Sequence, residues 1–414
     1  MTRSSWVPDA DGSGFDLAHL PYGVVVVDGH PRPAVRIGAH ALDLRACAHE
    51  GLLGPDATWA DADGLTPFLA AGHEVWAITR AALTDLLADD SNRRAPGGAL
   101  HPLADLPAPL LPVTIGDYID FYSSLHHATN IGRLLRPDDD PLLPNWRHLP
   151  IGYHGRAGTV VASGTPIRRP IGQRRPDQAG AMPPVGPSTQ LDLELEVGFV
   201  VGGPPTPLGQ SVAIDAAAQR IFGIALVNDW SARDIQAWEY RPLGPFLAKS
   251  FATSMAPWIT PLAALDAAWV PAPVQAPLPA PYLRTTGDWA LDLTLEVALA
   301  PAGGTGEGVI TRVGFADMYW TMPQQLAHAT SGGASIRPGD LFASGTVSGP
   351  ERGTEGCLLE MTHGGSQPFT VAGASRTFLA DGDTVTLRGH GKGVGAAPLT
   401  LAEVSGTIRP AAAT

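Results

Sequence analysis

The sequence predicts a mainly β protein with a few helices, divided into two domains. A chain of 414 residues is longer than a single hydrophobic core usually supports, so two domains are expected. Its 48 glycines and 40 prolines favour turns and extended segments over long helices. Runs that alternate apolar and polar side chains, such as residues 191–197, are typical of strands.

The domain boundary is predicted at the proline-rich segment 106–112, which suits neither a helix nor a central strand. We therefore expect one domain over residues 1–112 and another over residues 113–414. The first domain contains two extended stretches, 22–27 and 34–44, and the earlier one is rich in valine and closed by a turn.

The second domain is predicted to begin with a helix over 117–130, capped by Thr114, and to continue as short strands. Asp120 and His127 are seven residues apart, so on such a helix they would lie on the same side. A carboxylate and an imidazole would then face one cavity. Adjacent histidines point in different directions on a helix, so at most one of His126 and His127 is expected to act in catalysis.

The charge of the chain indicates a small-molecule partner. The formal net charge is -13, and no block of lysines and arginines offsets it, which argues against nucleic acid or an acidic membrane surface. An anionic ligand would be opposed by this overall field. Its capture would therefore require a local cluster of arginines or a bound cation.

The cysteine content and the hydropathy predict a cytoplasmic protein. Cys47 and Cys357 are the only cysteines, which excludes a framework of several disulfides and a cysteine-based zinc site. The sequence has neither a signal-like beginning nor an apolar run of about 18 residues, so we expect no membrane segment.

An acidic strand is the strongest single hint of a metal site. In 191–197, Asp192, Glu194 and Glu196 alternate with apolar residues, so the three carboxylates would share one face, roughly 7 Å apart. Water or a cation must offset that repulsion. The run is therefore either half of an oxygen-rich metal site or an edge strand with a solvated acidic face. A second run, 291–297, is interpreted as a plain half-exposed strand.

A second group of polar residues is suited to holding an oxygen-rich ligand. A helix is predicted to begin near Asp229 or Ser231, and it would place Arg233, Gln236 and Tyr240 on one face. That face offers cationic, amide and phenolic donors. Alternatively, this face of the helix is exposed to solvent and does not bind a ligand.

Two charged residues stand in apolar surroundings. Lys249 lies within the apolar run 244–251, and Glu360 lies within 357–361, which we interpret as a strand. Buried charges require partners, so Lys249 is expected to meet a carboxylate or a ligand, and Glu360 is expected to be paired.

At these residues the chain resembles the fumarylacetoacetate hydrolase (fumarylacetoacetase) family. The likeness extends from about residue 117 to residue 387, and long blocks in a fixed order are more specific than any one short motif. The blocks that carry it are 120–130, 143–146, 152–156, 191–196, 228–240, 244–251, 318–322 and 343–349.

The resemblance implies a fold and an activity. The expected fold is a small SH3-like β-barrel over 1–112, followed by a large β-rich catalytic domain over 113–414, assembled as a homodimer. The implied reaction is hydrolysis of the carbon–carbon bond of 4-fumarylacetoacetate to fumarate and acetoacetate, the last step of tyrosine and phenylalanine catabolism. The implied partner is thus a small β-diketo dicarboxylate.

The resemblance also implies roles for individual residues. Calcium ligands would be Asp120, Glu194, Glu196 and Asp229. Magnesium ligands would be Asp229, Thr253 and, through its backbone carbonyl, Lys249. The general base would be His127 paired with Glu360. The oxyanion would be stabilised by Arg233, Gln236 and Lys249. Substrate contacts would come from Tyr122, Arg136, Tyr153, Gln236, Tyr240 and Thr346.

Two further expectations follow from the same likeness, and a third point concerns a loop in which this sequence departs from the family pattern. Asp192 is not a ligand in the family, so it is expected to make a hydrogen bond beside the metal site. His126 is expected to have no catalytic role. Arg136 is followed by the acidic residues 138–140, and pairing with them would weaken its hold on a substrate.

Two alternative functions remain at this point. The chain could be an acylpyruvate hydrolase or a related decarboxylase on the same scaffold; the two-domain length and the contacts from Tyr122, Gln236 and Tyr240 distinguish these. It could instead be a metal-binding β protein without catalytic activity. That class would lack the base or its acidic partner, and here both His127 and Glu360 are present.

Overall fold

The fold is known from a computed structural model, which describes residues 3–54, 57–88 and 98–413. Strands and short helices alternate along most of that part of the chain, which confirms the prediction of a mainly β protein. None of the helices in these residues is long and apolar enough to cross a membrane.

The first 112 residues form a four-stranded meander with three helices, counting only the part of this region that the structure describes. Its strands are β1 (Tyr22–Val27), β2 (His30–Ile37), β3 (His40–Asp43) and β4 (Leu100–Pro102). Its helices are α1 (Leu44–His49), α2 (Thr66–Ala71) and α3 (His73–Ala88).

The rest of the described chain contains the larger set of strands. They are β5 (Tyr118–Phe121), β6 (Gly152–His154), β7 (Val160–Ala162), β8 (Ile167–Arg168), β9 (Ile171–Gln173), β10 (Val185–Pro187), β11 (Leu191–Asp192), β12 (Leu195–Val201), β13 (Ile221–Asp229), β14 (Ser231–Ala232), β15 (Thr253–Met255), β16 (Trp258–Pro261), β17 (Trp269–Val270), β18 (Ala290–Leu291), β19 (Leu293–Ala300), β20 (Gly308–Gly314), β21 (Leu341–Ala343), β22 (Phe369–Val371), β23 (Ala374–Arg376), β24 (Thr384–Lys392) and β25 (Pro398–Arg409). The helices between them are α4 (Leu125–Leu135), α5 (Ala217–Arg220), α6 (Arg233–Glu239), α7 (Leu247–Ser250), α8 (Met322–Thr330) and α9 (Leu358–Met361).

Two large sheets share one hydrophobic core. The main sheet has the order β4-β3-β2-β1-β16-β13-β12-β21-β5-β6, with β15 and β7 joined at its side. The second sheet has the order β20-β19-β24-β25-β8. Strands β12 and β13 are buried along their whole length, which explains their nearly continuous apolar sequences.

The amino-terminal strands continue the main sheet. Tyr22 in β1 pairs with Ile259 in β16, so the meander is hydrogen-bonded to the strands of the larger region. The segment 106–112 lies between them without helix or strand, apart from one isolated bridge from Val24 to Leu110. An SH3-like barrel for residues 1–112, and the boundary after residue 112, stay predictions.

Two local predictions of secondary structure were wrong. The helix expected over 117–130 is a strand at Tyr118–Phe121, and the helix begins only after Ser124, whose hydroxyl accepts a hydrogen bond from the backbone N–H of His127. The reason is non-local: β5 is paired on both sides, with β21 and β6. The helix expected from Asp229 or Ser231 begins later, at Arg233, because β13 runs as far as Asp229.

His19 ties the amino-terminal region to β16. Its ring is 1% exposed, and its two nitrogens lie 2.7 Å from the Gly14 carbonyl oxygen and 2.8 Å from Oγ1 of Thr260. A carbonyl can only accept, so Nδ1 carries the proton and Nε2 accepts from the threonine hydroxyl. Burial, together with the nearby charges of Arg80 and Arg36, lowers the pKa of His19 to about 3, although the bond to Gly14 opposes the shift.

We expect acid to destabilise the fold through His19. Between its unfolded pKa of about 6.5 and its folded value, only the unfolded chain binds the proton, so stability is present above pH 6.5 and is lost as pH falls. The loss attributable to His19 between pH 7.5 and pH 5 should be about 2 kcal/mol. The difference in unfolding free energy between the wild type and His19→Gln, measured by urea denaturation, should therefore be about 2 kcal/mol smaller at pH 5 than at pH 7.5. A gap equally wide at both pH values would contradict the prediction, and the exposed His30→Gln serves as control.

Candidate active site

Three strand ends meet at one edge of the main sheet. Asp120 lies near the end of β5, Glu196 near the start of β12 and Asp229 at the end of β13. Because β12 runs antiparallel to both β13 and β21, and β5 runs parallel to β21, these three positions fall at the same edge. Residues distant in sequence are thereby brought together.

A cavity of about 570 Å³ opens at this edge. That volume is within the range of small-molecule sites. Most of the residues predicted for the site line it, namely Asp120, Tyr122, His127, Arg136, Tyr153, Glu194, Arg233, Gln236, Tyr240, Lys249 and Thr346. His126 is not among the lining residues.

Four buried carboxylates form a cluster beside the cavity. Asp120, Glu194, Glu196 and Asp229 each offer an oxygen atom within 4.8 Å of the others. The alternative of an exposed edge strand is wrong, because these side chains are at most 5% exposed. The acidic run is also not one straight strand: β11 ends at Asp192 and β12 begins at Leu195, so Glu194 lies in the break between them.

The carboxylates of the cluster are in different electrostatic states. Burial and the neighbouring Asp229 raise the pKa of Asp120 well above its ordinary value, and burial and Asp120 do the same for Glu196. Burial would also raise the pKa of Glu194, but Lys249 and Arg233 lower it to about 2.

The cluster fits a hard divalent cation. Oδ1 of Asp120 and Oε1 of Glu196 are buried and have no hydrogen-bond partner among the described residues. Unsatisfied buried oxygens are costly, and oxygen ligands are those that calcium and magnesium prefer. The residues present therefore suit a hard divalent cation.

Lys249 is the cation closest to the cluster. Its Nζ contacts Oε2 of Glu194 and lies 2.6 Å from Oδ2 of Asp229. Burial would lower the pKa of Lys249, but these two carboxylates raise it above its ordinary value. Asp229 also accepts hydrogen bonds from Oγ1 of Thr253 at 2.9 Å and from the Tyr153 hydroxyl at 3.0 Å. A magnesium site at Asp229, Lys249 and Thr253 stays a prediction.

His127 and Glu360 form a buried pair. Nδ1 of His127 lies 2.6 Å from Oε2 of Glu360. Glu360 was expected in a strand, which is wrong: it lies in the short helix α9. Burial would raise the pKa of Glu360, but His127 and other hydrogen-bond donors lower it. An ionised carboxylate holds the proton on Nδ1, so Nε2 is left as the basic nitrogen.

Three residues that support Glu360 were not identified from the sequence. Oε2 of Glu360 accepts from the Ser348 hydroxyl at 2.8 Å and from Sγ of Cys357 at 3.2 Å, and Oε1 accepts from Nδ2 of Asn130 at 3.0 Å. Asn130 follows His127 by three residues on α4, and that spacing could have indicated it.

Asp192 connects both parts of the site. Its carboxylate accepts from Nε of Arg233 at 2.8 Å and from the backbone N–H groups of Leu358 and Leu359, at 2.7 and 3.0 Å. It therefore binds the beginning of α9, the helix that carries Glu360, in addition to orienting Arg233.

Arg233 lines the cavity and has one guanidinium nitrogen without a partner among the described residues. Its Nη1 lies 2.8 Å from Oε1 of Glu194 and donates to Oε1 of Gln236 at 3.1 Å. Its Nη2 is buried without a hydrogen-bond partner in the part of the chain that the structure describes. An unpaired N–H of this kind is suited to an oxygen of a ligand.

The remaining predicted contacts are distributed around the cavity wall. The Tyr122 ring lies edge-on to His127, with ring centroids 5.3 Å apart, and Oγ1 of Thr346 has no partner among the described residues. Arg136 donates from Nη2 to the carbonyl oxygen of Pro141 at 2.8 Å. Within the described structure, Arg136 does not form the ion pair with the acidic residues 138–140 that would have weakened its hold on a substrate.

Comparisons with known proteins agree with this geometry. The model "Fumarylacetoacetate (FAA) hydrolase C-terminal" matches residues 118–400, and "Fumarylacetoacetase N-terminal" matches residues 18–112. Fumarylacetoacetase of Rattus norvegicus is 46% identical over 94% of this chain and 95% of that protein. The Arabidopsis thaliana protein of the same name is 45% identical over the same shares, and that of Dictyostelium discoideum is 38% identical over 98% of each chain.

Solved structures with low sequence identity share the fold. A fumarylacetoacetate hydrolase from Exiguobacterium antarcticum has a TM-score of 0.53 at 17% identity, covering 94% of this chain and 99% of that one. A maleylpyruvate hydrolase from Sphingobium has a TM-score of 0.51 at 17% identity, with the same coverage.

Replacing Glu196, whose Oε1 has no partner among the described residues, tests whether the cluster binds a cation without disturbing the fold. We expect calcium to raise the unfolding temperature of the chelator-treated wild type, since a ligand of the folded state stabilises it by about 2.7 kcal/mol at one hundred times its Kd. Glu196→Gln should lose most of this shift while remaining at least as stable without the ion, because burial and the neighbouring Asp120 raise the pKa of Glu196 and make an ionised side chain unfavourable there. Glu296→Gln, on the half-exposed strand β19, is the matched control and should keep the shift. An undiminished shift in Glu196→Gln would contradict the prediction.

Proposed function

The chain belongs to the fumarylacetoacetate hydrolase family, and from that membership and the geometry of its site we propose that it hydrolyses 4-fumarylacetoacetate to fumarate and acetoacetate. The observation that carries the proposal is that His127, which is paired with Glu360, lines the same cavity as Asp120 and Glu194 of the four-carboxylate cluster. It is thus a metal-dependent hydrolase of a carbon–carbon bond in a ketonic substrate.

His127 is proposed as the general base. Glu360 holds the Nδ1 proton and stabilises the imidazolium, so Nε2 can take a proton from water. The carboxylate of Glu360 is already occupied by four donors, from His127, Ser348, Cys357 and Asn130, which favours the ionised form and keeps the transferred proton on the imidazole.

Arg233, Lys249 and Gln236 are proposed to stabilise the oxyanion that forms when water attacks the carbonyl. Arg233 contributes its unpaired Nη2, and Gln236 has its amide N–H group to donate while its Oε1 accepts from Arg233. A divalent cation bound by Asp120, Glu194, Glu196 and Asp229 would hold diketone oxygens and stabilise the developing enolate charge. Imidazolium His127 is proposed to return a proton to the leaving acetoacetate.

The substrate carboxylates are proposed to meet local positive charge. Arg136 lines the cavity wall and has no carboxylate partner among the described residues, so it is suited to one end of a dicarboxylate. Tyr122, Tyr153, Tyr240 and Thr346 supply hydroxyl groups around the same space.

The finer assignments belong to the same proposal. We propose Ca²⁺ at the four-carboxylate cluster, Mg²⁺ at Asp229, Thr253 and the backbone carbonyl of Lys249, and domains over 1–112 and 113–414. The family models, which match 18–112 and 118–400, support this division. We propose a cytoplasmic homodimer, supported by the buried free thiols of Cys47 and Cys357 and by exposed apolar side chains such as Leu243 and Phe246.

The two adjacent histidines offer a matched test of the base. His127→Asn should lower hydrolysis of fumarylacetoacetate, followed by loss of its absorbance, by about 10²- to 10⁴-fold, because the proton acceptor is removed. The calcium-induced rise in unfolding temperature should persist. His126→Asn, which changes a half-buried neighbour outside the cavity lining, should keep nearly full activity. Near-normal turnover in His127→Asn would refute the role of the base.

The reaction itself is tested by comparing substrates. The purified protein with calcium should cleave fumarylacetoacetate at least tenfold more efficiently, in kcat/KM, than an acylpyruvate such as acetylpyruvate, because Arg136 lies free at the cavity wall for the second carboxylate. Arg136→Met should reduce this preference mainly through KM. Faster cleavage of acetylpyruvate would instead favour the acylpyruvate hydrolase alternative.

A further inference from the structure

A second cavity, of about 480 Å³, lies at the junction between the amino-terminal region and the main sheet. Its walls come from β1, α3 and β13 and from the chain around residues 262–269 and 286–289. It shares no lining residue with the catalytic cavity. Five large aromatic side chains contribute to the walls, namely Tyr22, Trp76, Phe222, Trp269 and Trp289.

The aromatic walls are held in place by their own contacts. Trp76 and Phe222 pack edge to face with ring centroids 5.1 Å apart, and Trp269 and Trp289 do the same at 5.3 Å. The Trp76 indole N–H donates to the carbonyl oxygen of Phe68 at 2.9 Å. The cavity is therefore preformed, and its volume suits a molecule with one or two rings.

Two polar groups in these walls are unusual for buried side chains, because one has no hydrogen-bond partner and the other has no ion-pair partner among the described residues. The hydroxyl of Tyr22 has no hydrogen-bond partner among the described residues, although the side chain is 1% exposed. Arg80 donates to the backbone carbonyls of His19, at 2.9 Å, and Ala18, and no carboxylate within the described ranges forms an ion pair with it. Burial lowers the pKa of Arg80, and Tyr22 and Asp16 only partly oppose this shift. A partly buried cation without a directly paired carboxylate is unfavourable.

We propose that this cavity binds a small aromatic carboxylate, with its ring between the tryptophans and its carboxylate at Arg80 and the Tyr22 hydroxyl. An anion would supply both the missing counter-charge and the missing acceptor. Asp288 is exposed at the rim and would repel a second carboxylate, so the site favours monocarboxylates. The preference for one carboxylate distinguishes this cavity from the catalytic cavity, whose proposed substrate carries two carboxylates.

A ligand bound here would add contacts between helix α3 of the amino-terminal region and strands β13 and β17. Arg80 and Trp76 lie on α3, whereas Trp269 lies on β17 and Phe222 on β13. A molecule held between them would add a contact that joins both regions, so it should raise the unfolding temperature of the whole protein.

The probe for this site is 1-naphthoate, with the neutral 1-naphthalenemethanol as its matched control. Binding to the full-length protein is followed by calorimetry and by quenching of tryptophan fluorescence. Arg80→Met should weaken naphthoate binding at least tenfold and Tyr22→Phe severalfold, while binding of the alcohol changes little. Both variants should hydrolyse fumarylacetoacetate like the wild type, because neither residue lines the catalytic cavity.

Control variants separate this site from other sources of binding. Arg220→Met removes a half-buried arginine that likewise donates to a backbone carbonyl, and it should leave naphthoate binding unchanged. If Arg80→Met does not fold, Tyr22→Phe decides, since its hydroxyl has no partner to lose among the described residues. Equal affinity in wild type and Tyr22→Phe, loss of binding in Arg136→Met instead, or no binding at millimolar naphthoate would each overturn the proposal.

Discussion

The burial of several carboxylates at one edge of a sheet is the constraint on which the catalytic site depends. Asp120, Glu194, Glu196 and Asp229 lie within a few ångströms of one another in the protein interior. Such charges persist only when cations or hydrogen-bond donors compensate them. Lys249 compensates Glu194 and Asp229, whereas one oxygen of Asp120 and one of Glu196 remain unpaired among the described residues. The unpaired oxygens of Asp120 and Glu196 are therefore suited to binding a cation.

Asp192 makes this acidic centre and the catalytic base parts of one structure. Although it lies on the acidic run, it is not a member of the cluster, and it binds Arg233 and the first N–H groups of α9. Glu360 lies on that helix and holds His127. A shift of the strand would therefore move the oxyanion donor and the base together. This coupling explains how groups from four distant segments keep a common geometry.

The sequence predicted the fold class and the acidic run from local patterns, but it did not predict how the segments pair. Alternation identified residues 191–197 as extended, yet only the register between β12 and β13 determines that Glu196 lies near Asp229. The helix expected over 117–130 was half wrong because β5 gains its stability from β21 and β6, which local propensity cannot reveal. The roles of Arg136 and Thr346 came from the family resemblance alone. Ser348 was missed because no local pattern indicates that its hydroxyl meets Glu360, and Asn130 was missed although it follows His127 by one helical turn, because its partner Glu360 is distant in sequence.

The electrostatics of the cavity link occupancy of the cluster to substrate binding. Lys249 and Arg233 each contact two carboxylates, so little of their positive charge is available to a second anion. Arg136 is free of such contacts, but a single guanidinium cannot balance a dicarboxylate in a chain of net charge -13. With the cluster empty, the cavity would repel the proposed substrate. A divalent ion at the cluster reverses that local field. Because the two binding equilibria are then linked, the substrate must increase the affinity for the ion by the same factor as the ion increases the affinity for the substrate.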